Sequence, residues 1–408
     1  MNRFIPYYLI LIYLLCIPFT NSAQDTSQYL NENHSEIDIN EVTHFKDFDL
    51  LQKDVDTYEL FLTGENHEVS INSKLAFKFF KYFYENANVR YYMLELPHSF
   101  ACILNQELQK DSITDYWKNY EIFNLIYHYN KTLADGQKIK FIGIDIERVI
   151  WYSIPQLKLL LCKEKNTIAS IEKYSKQADS LNTQYEKIMA TTQNVDTLNA
   201  PLKELSYALF QDLSNLPTEY KEYLGETYFD FNIIVTNLVN NFEAHWGESQ
   251  QLDNQGEVHK REKSMYETYY KFFPTLKGKV FGQFGSLHVC QDTSGTTRIE
   301  DNVMTWKNPY TFAWILNHDK NSPIQGKVLS IGYNYKKCLT SQHNREYHPV
   351  GAPCEAILTR EQEDLFVKSA KTDFTLFKLN QKKSPLQKLA NNFQFILLIQ
   401  NQKQLISN

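Results

Sequence analysis

Short apolar runs alternate with stretches of helical spacing over the first third of the chain. Residues 58–63 form one such run, and Ile71, Leu75, Phe79 and Phe83 then recur at every fourth position. That recurrence puts an apolar stripe on one face of a helix. A second run at 91–95 is followed by a helical stretch around 100–108, and 140–144 form a third. Strand followed by helix, repeated, is the pattern of a parallel sheet with crossover helices. The alternation stops after Trp151, and no run between 168 and 244 reads as a strand. There Ile171, Tyr174, Ala178, Leu181, Tyr185 and Ile188 are separated by steps of three and four. This heptad-like seam predicts antiparallel helix packing. Helical signals continue at 202–213 and 229–242, and the strand pattern resumes near Val280, with further runs at 311–316, 328–333, 375–379 and 393–398. The predicted class is α/β: a mainly parallel sheet flanked by helices, with a helical insertion over the C-terminal strand edge. Its first part spans 41–160, the insertion 161–255 and its second part 256–408. No internal repeat interrupts this reading.

Composition narrows the classes of function. Of the 408 residues 43% are hydrophobic, enough for a substantial core. The net charge is -6 with no long basic block, which argues against a nucleic-acid partner, since such binding rests on clustered Lys and Arg. The N-terminus reads as an export signal over 1–23. Arg3 gives a positive start, 5–19 are nearly all apolar, and Asn21-Ser22-Ala23 offers small residues before Gln24. The apolar stretch is short for a spanning helix, and Pro6 and Pro18 bracket it. The expectation is therefore a periplasmic or secreted chain, without stable membrane insertion after cleavage. Lipid anchoring at Cys16 is disfavoured by Leu14 and Leu15, where small residues are expected. Residues 24–40 are polar and aperiodic and read as a flexible leader. Of six cysteines, five follow the signal, and export permits disulfides. Cys338 and Cys354 flank one polar loop and are the pair expected to join.

The candidate chemistry lies where the predicted strands end. Glu65 and His67 follow the run at 58–62, Glu95 closes the run at 91–95, Asp145 and Glu147 follow 141–144, and His288 follows 280–285. In an open parallel sheet, ligands bind outside the carboxyl ends of the strands. Gly64 allows an unusual turn before His67, and a neutral His beside carboxylates can take a proton from water. A carboxylate such as Glu95 is costly to bury unless paired. Of Asp145 and Glu147, which follow this strand, Asp145 is preferred as the residue that faces the rim. Arg261 and Glu262 precede the His288 run on a helical stretch with Met265; an Arg aimed into the rim would fix a carboxylate or an oxyanion. His98, His128, His245, His259, His343 and His348 show no compact metal-ligand spacing. There is no His-Glu-x-x-His helix, nucleophile elbow, phosphate-binding Gly loop or zinc Cys pattern.

Taken in order, Gly64-Glu65-Asn66-His67, Glu95, Gly143-Ile144-Asp145, Arg261-Glu262-Lys263-Ser264-Met265 and Gly285-Ser286-Leu287-His288 resemble the motifs of the erythromycin esterase family. The wider superfamily includes ChaN-type haem-binding proteins and TraB/TIKI proteins. The likeness runs from about residue 58 to 290. The family's first motif reads Gly-Glu-x-x-His, so the gap between Glu65 and His67 is one residue shorter here, whereas Arg261, Glu262 and Met265 match its helix well. The resemblance implies ester, lactone or related acyl hydrolysis of a small molecule by His-activated water, with no cofactor required. In that scheme His67 is the base, Glu65 or Glu95 orients it, and His288 and Arg261 polarise the substrate, which Asp145, Glu147 and Glu262 help to bind. Two alternatives stand beside it. One is a metal-dependent hydrolase or peptidase with a divalent ion on His67, His288, Glu65 and Glu95. The other is a non-catalytic protein binding haem or another small ligand.

Overall fold

The computed structural model describes residues 25–163, 168–191, 194–244, 254–299, 302–307, 310–340, 351–380 and 384–402. The expected signal at 1–23 lies outside these residues. Among the described residues, ten strands follow in chain order: β1 (His34–Glu36), β2 (Leu60–Glu65), β3 (Val89–Pro97), β4 (Lys140–Asp145), β5 (Lys279–Gly285), β6 (Ser294–Ile299), β7 (Asn302–Lys307), β8 (Val328–Lys336), β9 (Phe374–Lys378) and β10 (Phe395–Gln400). The architecture is α/β, with mainly parallel strands flanked by helices. Two compact units divide the chain. One comprises 1–87, 284–317 and 326–408; the other comprises 88–283 and 318–325.

In the first unit, β8 pairs in parallel with both β2 and β10, while β9 runs antiparallel to β10 and β1 antiparallel to β9. β2, β8 and β10 are buried almost end to end, as strands covered on both faces must be, which is why β2 and β10 read largely as apolar runs. The helix Asn72–Asn86 carries the predicted stripe inward, where Phe83 stacks on Phe61 at 4.1 Å and Phe79 on Phe48 at 4.6 Å between ring centroids. Two expectations change here. The segment read as a leader contributes β1, so pairing to β9 tethers it. The run at 311–316 is part of the helix Phe312–His318, because its apolar residues Phe312, Ala313, Ile315 and Leu316 fall at helical steps. The β6–β7 hairpin was not foreseen. Cys338 and Cys354 lie on neighbouring backbones, with the Cys354 N–H donating to the Cys338 carbonyl at 3.1 Å, yet both are free thiols. The Cys338 Sγ donates to the carbonyls of Lys336 and Ile399 instead.

In the second unit β3 lies between β5 and β4, parallel to both. Among the described residues no strand occurs between β4 and β5. Six helices occupy that interval: Ile150–Leu161, Ala169–Thr191, Asn199–Asn215, Pro217–Leu224, Tyr228–Glu243 and Asn254–Phe272. The seam of Ala169–Thr191 is apolar toward its neighbours: Ile171, Ala178 and Leu181 are buried in a shared core with Leu202, Leu205, Phe231 and Leu238, and Tyr174, Tyr185 and Ile188 pack against it. The insertion meets the carboxyl end of β4, where the Asn237 side chain donates to the Asp145 carbonyl at 3.2 Å.

The outer edge of β4 is closed by side chains. The Ile139 N–H donates to Asn130 Oδ1 at 2.8 Å, and Asn105 both accepts from the Phe141 N–H and donates to its carbonyl, each at 2.8 Å. The Gly143 N–H points at His98 Nδ1 at 3.5 Å. An open row of backbone donors and acceptors would otherwise be a template for another strand.

Candidate active site

In the first unit the candidate residues lie on the turn after β2. Gly64 is required by close approach: a Cβ there would lie 2.3 Å from Val289 Cγ2 and 3.1 Å from Ser286 Cα. That contact packs the end of β2 against the short helix Ser286–Val289, which carries the buried His288. Beyond Gly64, His67 Nδ1 donates to Glu65 Oε1 at 3.0 Å. The carboxylate can only accept, so the neutral ring keeps Nε2 without a proton, the form that can take one from water. His67 remains 52% exposed and Glu65 15%. The one-residue shortening of the motif therefore does not separate the pair.

A clamp holds the residue between them. Asn72 Nδ2 donates to the Asn66 carbonyl at 2.7 Å, and the Asn66 N–H donates to Tyr335 Oη at 3.3 Å. Tyr335 Oη in turn donates to Asn72 Oδ1 at 2.8 Å. Burial, followed by the nearby Glu65 carboxylate, pushes the Tyr335 hydroxyl well above its ordinary pKa, so it stays a donor. Both backbone groups of Asn66 are thus fixed from a helix start and from β8.

The second unit, taken by itself, holds a buried ion cluster. Arg261, on the helix Asn254–Phe272, grips Asp145 with two bonds, Nε to Oδ1 at 2.9 Å and Nη2 to Oδ2 at 2.7 Å, and reaches Glu95 Oε1 at 2.8 Å. Arg148 Nε lies 3.2 Å from Asp145 Oδ2. Burial acts to raise the Asp145 pKa, but the charges of Arg261 and Arg148 outweigh it and hold the carboxyl below its usual range. Burial likewise opposes the charge on Arg261, and the two carboxylates raise its pKa despite it. Glu95 is not the last residue of its strand: β3 runs on to Pro97, and its register against β4 shifts between Leu94 and Pro97. Such an irregularity re-aims a side chain.

Asp145, Glu147 and Glu262, expected to touch substrate, are fully buried. The first two are bonded internally. Asp145 anchors Arg261, while Glu147 accepts from the Ser99 N–H and from the hydroxyls of Ser99 and Ser153. The two carboxylates, two residues apart, face different partners. Burial raises the Glu147 pKa, and its hydroxyl and amide donors only partly offset this. A raised carboxyl pKa gives stability that is full below the ordinary carboxylate range and lost as pH rises through the folded value. Glu147→Gln is expected to flatten that decline, read as Tm against pH; an unchanged profile would show that Glu147 does not titrate across it.

Among the described residues, one group has metal-ligating atoms within 4.8 Å of one another: His98, Cys102 and Asp230. It is a different set from His67, His288, Glu65 and Glu95. The sequence signal for it was the four-residue step from His98 to Cys102, which puts both on one face of the helix His98–Gln109. Tyr335 also left a signal, since it stands near the carboxyl end of a strand parallel to β2. Nothing in the sequence marked Asn72, Ser99 or Ser153.

The described residues thus combine an α/β fold with a His–carboxylate pair at a strand end. No family model matches the chain, and no curated protein matches it by sequence. Solved structures do. A succinoglycan biosynthesis protein superposes with a TM-score of 0.65 at 14% identity, covering 93% of this chain and 97% of that one. A Bacillus cereus protein gives 0.64 at 15%, covering 93% and 97%. An erythromycin esterase, EreC, in its open conformation gives 0.64 at 11%, covering 92% and 99%. The chain shares its fold with these proteins, in line with the likeness carried by its motifs.

Proposed function

We propose that the chain is an esterase-type hydrolase acting on an ester, lactone or related acyl bond of a small molecule. The observation that carries this reading is the Glu65–His67 pair, hydrogen-bonded on a half-exposed turn. Glu65 orients the ring and stabilises the imidazolium that forms, and His67 Nε2 takes a proton from water as the water oxygen bonds to the acyl carbon. The acyl C–O bond then breaks, the leaving alkoxide takes the proton, and acid and alcohol result. Within the second unit Arg261 acts as a positioning residue for Glu95, since its guanidinium is committed to Glu95 and Asp145. The shared fold with an erythromycin esterase supports the reaction class, while a fold alone selects no substrate.

The test is a panel of alkyl esters, aryl esters and lactones offered to the purified chain with and without chelator. Turnover that persists in chelator supports His-activated water. Turnover abolished by chelator would replace this mechanism with metal-dependent hydrolysis, and a panel without turnover would overturn the reading.

A further inference from the structure

The group formed by His98, Cys102 and Asp230 shares no residue with those assigned above to hydrolysis, and its geometry is specific. Cys102 Sγ is 3.5 Å from His98 Nε2, and Asp230 Oδ1 is 2.9 Å from the same nitrogen. A Cys–His–Asp nucleophile would need the carboxylate on the opposite ring nitrogen, to orient the imidazole while the thiol uses the other. Here the thiol and the carboxylate converge on one nitrogen, and Nδ1 faces the Gly143 N–H. Three different ligand atoms meeting at one point is instead the arrangement of a metal centre.

We propose that His98, Cys102 and Asp230 bind a single zinc-like divalent cation. Ligand atoms around a tetrahedral zinc ion stand about 3.3–3.6 Å apart. The sulfur-to-nitrogen separation already has this value, and the nitrogen-to-oxygen separation needs to open by only about 0.4 Å. Asp230 can make that adjustment, because its side chain is 41% exposed in the first turn of Tyr228–Glu243, whereas the His98 side chain is 3% exposed and held in place. One soft sulfur, one imidazole and one carboxylate form a donor set for zinc rather than for magnesium or calcium. Three protein ligands leave a fourth position, and His98 and Asp230 line a cavity of 760 Å³ that can supply water there. Loading shifts the ring proton to Nδ1 and gives up the Gly143 contact, which at 3.5 Å is the longest of the β4 edge bonds.

The test uses the full chain, kept reduced and stripped with chelator, and cobalt(II) as the probe. Cobalt should saturate at one equivalent with a sulfur-to-cobalt charge-transfer band that zinc displaces. Cys102→Ser should lose the band; this separates the site from Cys162, Cys290, Cys338 and Cys354. Asp230→Asn, a change at a partly exposed position that leaves the fold intact by far-ultraviolet circular dichroism, should bind cobalt at least about tenfold more weakly. The proposal is overturned if the wild-type chain gives no band at one equivalent, if the band survives Cys102→Ser, or if Asp230→Asn binds cobalt as tightly as wild type. None of these readouts depends on ester hydrolysis.

Discussion

Replacing His67 by Ala is expected to lower kcat/KM for every ester or lactone the chain turns over by about 10²–10⁴-fold, the usual worth of a positioned general base. The fold should not notice. His67 is half exposed, and surface substitutions of this kind change stability by about 0.5 kcal/mol or less. Tm should therefore stay fixed while turnover collapses. Glu65→Gln is the companion variant: the amide keeps the shape of the side chain but removes the charge that favours the imidazolium. It should lower kcat more than it raises KM, because that stabilisation is realised only as the proton moves. A His67→Ala variant with wild-type kcat/KM would remove His67 from the reaction, whatever other residue then carried it.

The second large effect is on stability. Arg261→Met is expected to cost about 3–5 kcal/mol, because it leaves the fully buried Asp145 without its bidentate partner. The sign of the pH dependence follows from Asp145. Its pKa is depressed in the folded protein, so its contribution is present above the ordinary carboxylate range and is lost as pH falls through the folded value. The gap between wild type and Arg261→Met should thus be widest at neutral pH and close in acid, where Asp145 is protonated in both. Adding Asp145→Asn should recover much of the loss, since the residue left behind no longer carries a buried charge. Urea unfolding at pH 7 and in acid measures all three. A single variant as stable as wild type at neutral pH would mean that Arg148 alone satisfies Asp145.

The parallel strands were legible because burial on both faces writes itself as an unbroken apolar run, as in β2 and β10. The helix at Asn72–Asn86 and the seam of Ala169–Thr191 were legible through their period. The run at 311–316 failed because a few apolar residues fit a strand and a helix equally well, and only packing decides between them. The hairpin β6–β7 escaped because SGTTRI and NVMTWK carry little alternation of apolar and polar residues. Strand ends pointed to Glu65 and His67 in the first unit and to Glu95 and Asp145 in the second. What they could not show was which carboxylates would be consumed by partners distant in sequence. Arg261 lies 116 residues from Asp145, and Tyr335 lies 269 from the Asn66 it clamps. The pairing of Cys338 with Cys354 was drawn from nearness along the chain; the sulfur geometry gave a different answer.

The side chains that close the outer edge of β4 have one more consequence, and it concerns the order of events during synthesis. His98, Asn105 and Asn130 all precede β4 in the chain. A ribosome delivers the N-terminal part first, and a naked strand edge is most dangerous before the rest of a domain has formed. In this protein the groups that cover the edge have already been made when the edge itself emerges. β4 can dock onto β3 and be sealed on its far side without waiting for the long helical insertion that follows, so of this pair only the other edge of β3, which β5 covers later, stays open to a neighbouring nascent chain.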